Sequence, residues 1–368
     1  MPKPKIARGS GSTRLDGSGR KQSLTSRPGA GRTRHERTLA LTVLSLAVST
    51  LTALAPDLLI STGAVPAHIS GRFRDVRGFA QSDFGQFFVF DRRGHRVYGI
   101  DERHESVWQI VQLGPEEGRI IEPTAFSLAP DGSFVVADMP ERQERVQVFS
   151  PVGFRIAGFI LPQRTRPHLT YRDVVLGGIG SLHYTGSSIL LSQPESGALV
   201  TEYNLRGQVL RTFGELRTTG HEDDREIHLA LNTGIPMATA DGGFAFVFQH
   251  GAPELRRFDS NGRLAYERHI QGREIDEVIA SLPTAWTRRR AGELPLVPPT
   301  VRTAAVDRHG NVWISFMMPF TYVYDRDGDK IRTVQFRAAG VLSPSSLTFG
   351  PRGRLLVTPG LYEFTIEP

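Results

Sequence analysis

The sequence contains no cysteine. That absence removes disulfides, thiolate metal sites, a cysteine nucleophile and the acylated cysteine of a lipoprotein anchor. It also lacks the short motifs that carry common chemistries. There is no HExxH or HxH spacing for zinc, no GxSxG nucleophile turn, and no Walker or dinucleotide loop. Beyond residue 67 no long helical period appears; the one amphipathic helical stretch lies within 273–290. The chain of 368 residues must therefore be held together by a large core of some other kind.

The charge is unevenly placed. The formal net charge is +6, but residues 1–37 alone hold ten basic side chains against two acidic ones, so the remainder is slightly acidic. A basic chain usually points to nucleic acid as a partner; here the excess lies outside the body, and no nucleic-acid partner is expected. Residues 1–37 are rich in Gly, Ser and Arg and have too little apolar surface to fold, so a disordered basic arm is expected. Residues 38–60 form an apolar stretch broken by Pro56 and Asp57. They read as a signal-peptide h-region or a single membrane anchor, with the basic flank kept in the cytoplasm. The body is thus expected to be extracytoplasmic, periplasmic or secreted, with membrane contact only through 38–60.

The body itself is built of short runs of Val, Phe, Ile and Tyr separated by Gly, Asp, Asn and Pro turns. The clearest unit, 123–160, divides into four strands at 123–129, 133–138, 144–149 and 154–160. The same pattern recurs six times, marked by Gly85, Gly132, Gly186, Gly242, Gly310 and Gly353 at the first turn. Gly153, Gly207, Gly262 and Gly328 mark a second turn in units 2 to 5. Glycine supplies the positive φ of a tight hairpin. Six four-stranded units close into a ring, so the fold class is all-β, a six-bladed β-propeller over residues 66–368. The sixth unit runs out after three strands, and residues 66–73 are expected to supply its outer strand.

Pro123, Asp131, Gly132, 135–138 (VVAD) and 145–149 (RVQVF) resemble an NHL repeat; 89–91 and 95–98 match it in part. The other four units keep the turns and lose the Asp and Arg markers. The resemblance implies the architecture far more than an activity. Six-bladed lactonases of the regucalcin type begin their first inner strand with Glu-Gly-Pro, whereas residues 74–80 here read RDVRGFA.

The connections are unequal. Those from the second strand to the third, and from one blade to the next, share one face of a propeller. The long segments 161–174, 214–234 and 271–300 all belong to that class, and function concentrates on such loops. The candidate ligand-binding residues on this face are Arg93, His95, Arg96, Arg142, Arg145, Gln193, His250 and Trp286. A ring of Arg, His and carboxylates suits an anionic glycan, peptide or metabolite. No catalytic residue is assigned. No cofactor is predicted; a divalent metal is left open, with His95, His183 and His250 as the least poor trio. The acidic run 221–226 reads as a solvated helical turn, and 325–329 (DRDGD) as a plain Asp/Gly turn. Ile275, Val278, Ile279 and Leu282 have helical spacing and predict a short amphipathic helix over the loop face. The expected function is a binding or scaffold propeller for a peptide, glycan or partner protein. The alternative is a metal-dependent hydrolase or lyase at the channel mouth.

Overall fold

The computed structural model describes residues 55–161, 180–286 and 297–366, together with the backbone of the strands Leu169–Tyr171 and Val174–Leu176. The basic arm and most of the apolar stretch lie outside the described residues. The chain divides into two units, and the propeller is the second, Leu54–Pro368.

Six antiparallel sheets form the blades, each a meander whose strands pair in sequence order. Blade 2 shows the pattern: Ala125–Leu128, Phe134–Asp138, Arg145–Phe149 and Arg155–Ile160. The second and third strands of that blade are buried throughout, while the outer strand is largely exposed. Alternating β-branched and aromatic side chains fill both faces of the two middle strands, because each sheet is covered by a neighbour on either side. Phe88, Phe90, Phe134 and Phe149 pack between blades 1 and 2, and Phe213, Phe244 and Phe258 between blades 3 and 4. The six first-turn glycines take φ between 74 and 93°, a range that costs any residue with a Cβ.

The N-terminal segment departs from expectation. Residues 66–73 do not form the outer strand of blade 6; Ala67–Ser70 is a one-turn helix whose Ile69 is buried. Gly63–Ala64 instead pairs antiparallel with Glu363 and Tyr362 on the outside of that blade. Asp57–Ile60, read from the sequence as the end of the apolar stretch, lies parallel on the outer strand of blade 5. Leu59 packs into the blade 5–6 core, and Val65 is 4 % exposed in the blade 6–1 core. Of the strap's apolar residues Leu59 and Val65 are seated while Leu58 and Ile60 stay exposed, and backbone pairing to blades 5 and 6 holds the rest.

Blade 2 carries a buried ion pair. Arg145 bonds Asp138 through Nε at 2.9 Å and Nη2 at 2.6 Å, and gives further bonds to the carbonyls of Pro115 and Arg119. Asp138 also accepts from the backbone of Ile121. The pair ties the connection between blades 1 and 2 to the middle of blade 2. Burial pushes the Asp138 carboxyl upward, and Arg145 opposes that shift.

Candidate functional site

The inner strands of all six blades enclose a channel of about 1360 Å³. A typical small-molecule site occupies roughly 300–1,000 Å³, so this space admits a substantial ligand. Its wall is mixed: Phe90, Phe126, Met237, Leu347 and Phe349 supply apolar surface, and Thr124, Ser127, Thr239 and Ser346 supply hydroxyls.

Its two ends differ. The end bounded by the glycine turns is lined by Pro130, Thr185, Ser187 and Gly242; the charged lining residue there is Glu202, which accepts from Ser188 and pairs with Arg211. The other end opens among the long connections, where Arg77, Arg92, Arg93, His95, Glu122, His250 and Arg302 meet the channel. Asp75 lies among the arginines of blade 1, 3.0 Å from Arg77, 2.9 Å from Arg92 and 4.0 Å from Arg93. Arg77 keeps 37 % of its side chain accessible. Desolvation nevertheless lowers its pKa; Asp75 opposes that shift, and the charges of Arg92 and Arg302 add to it. Both facts fit a group on the wall of a wide channel, reached by water yet surrounded by protein.

The connections after blades 3 and 4 are internally braced over their described residues. Asp224 caps the helix Arg225–Leu231 by accepting from the backbone of Ile227, so the acidic run begins a helix. Arg217 fixes the same connection to blade 4. It donates to the carbonyls of Leu231, His250 and Ala252, stacks 4.1 Å from the Phe248 ring, and lies 3.7 Å from Glu254. Burial holds its pKa down at about 10, against the pull of Glu254. The helix expected between blades 4 and 5 is present as Arg273–Ala280, with Ile275 and Ile279 packed against the two blades. The DRDGD segment is a turn in which Asp325 accepts from the backbone of Asp327 and Asp329.

The sequence-derived candidates separate into two groups. Arg93, His95 and His250 line the channel, as does His183. The others do not reach it. Arg145 is 6 % exposed and spends its guanidinium on Asp138 and two carbonyls, which corrects its reading as a rim cation. Gln193 is also buried, accepting from the Tyr203 hydroxyl at 2.7 Å. Trp286 packs against the Ile227, Ala230 and Leu231 cluster. Arg96 lies at the start of the third strand of blade 1, and Arg142 is exposed in the 3-10 turn Pro140–Arg142. Among the described residues, no three His, Asp or Glu side chains come together as a metal-ligand set, so the His95, His183 and His250 trio is not assembled.

His250 is 1 % exposed. The Thr233 hydroxyl donates to the Ala230 carbonyl at 2.7 Å, so at 2.9 Å from His250 Nδ1 it can only accept. Nδ1 therefore carries the proton, and Nε2 is a bare acceptor without a partner among the described residues. Burial, with a smaller contribution from Arg217, lowers the His250 pKa to about 3; burial lowers that of His183 to about 4. Both rings are neutral at ordinary pH.

Arg77, Arg92 and Arg302 are not singled out by the sequence. Their signal is positional: Arg77 and Arg302 each occupy the second residue of an inner strand, Val76–Gln81 and Val301–Val306.

No family model matches the chain, and no curated protein matches it. Solved structures do. The chain is similar to a streptogramin B lyase at 10 % identity, covering 78 % of this chain and 92 % of that one, with a TM-score of 0.47. A structural genomics protein of unknown function from Bacteroides thetaiotaomicron is similar at 14 % identity, covering 80 % and 70 %, with a TM-score of 0.48. A catalytically inactive virginiamycin B lyase from Staphylococcus aureus with quinupristin is similar at 11 % identity, covering 80 % and 85 %, with a TM-score of 0.47. Altogether 861 solved chains match. The chain is a six-bladed all-β propeller.

Proposed function

We propose that the chain is a binding or scaffold propeller of NHL-like kind that takes a peptide, glycan or partner protein at its loop-bearing face. The observation that carries this reading is the asymmetry of the channel. Its arginine-rich mouth opens on the face that carries the long connections, while the opposite end is bounded by minimal hairpin turns. Binding surfaces concentrate where sequence is invested beyond the needs of the fold. An extracytoplasmic location belongs to the same proposal; it rests on the basic residues 1–37 and the apolar stretch after them. Among the described residues no helix is long and apolar enough to cross a membrane. No specific observation favours a metal-dependent hydrolase or lyase over the binding reading.

Peptide and glycan arrays probed with the full chain test the reading. Bound features should lose at least tenfold in affinity, about 1.4 kcal/mol, with the pair Arg93→Glu and Arg273→Glu on the loop face. The pair Arg308→Glu and Arg352→Glu, on the turn face, should change nothing. Equal effects of the two pairs, or no bound feature at all, would refute it.

A further inference from the structure

The inner strands of the six blades are not equivalent at their first rung. In blades 2, 3, 4 and 6 they pair with the second strand without interruption. Two are bulged. In blade 1, Val76 pairs with Asp91 and Gly78 with Phe90, which leaves Arg77 as the extra residue. In blade 5, Val301 pairs with Phe316 and Thr303 with Ser315, which leaves Arg302 as the extra residue. A bulge breaks the alternation of a strand and re-aims one side chain. Here both re-aimed residues are arginines at the same level of the ring, and both line the channel.

The local chain is shaped for this. A Cβ on Gly78, the residue after the first bulge, would lie 2.8 Å from the Phe126 ring, so the strand passes Phe126 there only without a side chain. Blade 6 stands between the two arginines. Its inner strand brings Ser345 and Ser346 to the channel wall, their hydroxyls 2.9 and 2.7 Å from Thr358 Oγ1. The charges are under-compensated. Asp75 is shared by Arg77, Arg92 and Arg93, whereas Arg302 makes no hydrogen bond or ion pair among the described residues. Arg77 and Arg302 line the same channel, and the charge of Arg302 adds a last, small contribution to the lowering of the Arg77 pKa. Two guanidinium groups on one channel wall, one without a partner, are unfavourable until an anion joins them.

We propose that Arg77 and Arg302 form an oxyanion clamp, arched over Ser345 and Ser346, that takes a carboxylate or phosphate group of a ligand entering from the loop-bearing mouth. The proposal rests on the binding reading and gives it a ligand chemistry. The planar fork of arginine matches both oxyanions and offers parallel donors that lysine cannot.

Titration calorimetry on the full chain at low salt, with citrate and pyrophosphate as separate probes, tests the clamp. At least one probe should bind, and the stronger of the two identifies the oxyanion. Arg77→Gln and Arg302→Gln should each weaken binding tenfold or more with unchanged melting temperature. Arg302→Lys should recover only part of the loss. Arg206→Gln, at an exposed turn on the opposite face, should bind as the parent does. Failure of both probes to bind, or full binding by both glutamine variants, overturns the clamp. If array features are still captured in that case, the binding reading stands without it. If citrate or pyrophosphate binds through the two arginines while the arrays stay blank, the clamp stands and the macromolecular ligand falls.

Discussion

Replacing His250 by asparagine is expected to flatten the acid limb of the stability curve. In the folded chain the ring is neutral, with its pKa lowered to about 3, against 6.5 for the free side chain. The unfolded chain takes up a proton as the pH falls through 6.5 and the folded chain does not. The stabilisation is therefore complete above about pH 6.5 and is lost progressively below it. Between pH 7.5 and 5 one such histidine contributes a loss of about 2 kcal/mol. His183, lowered in the same direction, adds to the loss over the same window. Asparagine at 250 does not titrate, and its amide can still donate to Thr233. Urea unfolding at several pH values across that window should show the variant losing about 2 kcal/mol less than the parent. Carboxylates titrate in both proteins and cancel in the difference. Parallel stability curves for parent and variant would refute the buried neutral His250 and, with it, the tautomer read from Thr233.

The fold supports two more expected outcomes. Arg145→Met strands the Asp138 carboxylate in the core and should cost about 3–5 kcal/mol, lowering Tm by about 6–15 °C. Because burial raises the Asp138 pKa, that deficit should shrink as the pH falls toward the carboxylate range; a cost under about 1 kcal/mol at neutral pH would mean the pair braces nothing. A chain beginning at Pro56 should melt as the full chain does, whereas one beginning at Val65 should melt about 4 °C lower or more and be cut faster by proteases, since the outer edges of blades 5 and 6 are then bare; equal melting would refute the strap.

The blades are legible in the sequence because hairpin chemistry is local. A glycine at each tight turn and a run of alternating residues beside it are enough to set a strand within a residue or two of its place, as 144–149 shows against the observed Arg145–Phe149. What depends on distant partners is not legible. The strap uses single residues: Leu59 is seated in a core made by the other end of the chain, and Val65 in one shared by blade 1 and the last blade. Its LLI run resembles the tail of an apolar leader because nothing within it alternates. The bulges at Arg77 and Arg302 are invisible for the same reason: a bulge is a property of two strands, and only the partner's register reveals the extra residue. Arg145 faces Asp138 across its own hairpin, but its other two acceptors, the carbonyls of Pro115 and Arg119, lie about thirty residues upstream in an irregular connection, and the burial they complete is not legible.

The arginines of this propeller are separated by their donors more than by their location. A guanidinium offers five N–H groups, and burial is tolerated only when they are used. Arg145 gives two bonds to Asp138 and two to carbonyls of the preceding connection, and Arg217 gives three to backbone carbonyls while its face stacks on Phe248. Both stand near the loop-bearing face, and neither has much left to offer a ligand. Arg302 stands on the channel wall with its donors unspent among the described residues, and Arg77 gives a single bond to a carboxylate it shares with two other arginines. Spent donors hold a blade and a connection together; unspent ones are a standing capacity for a partner that the chain itself does not supply. That capacity lies at one mouth of the channel and at two bulged rungs, where the chain gives up regular pairing to present it.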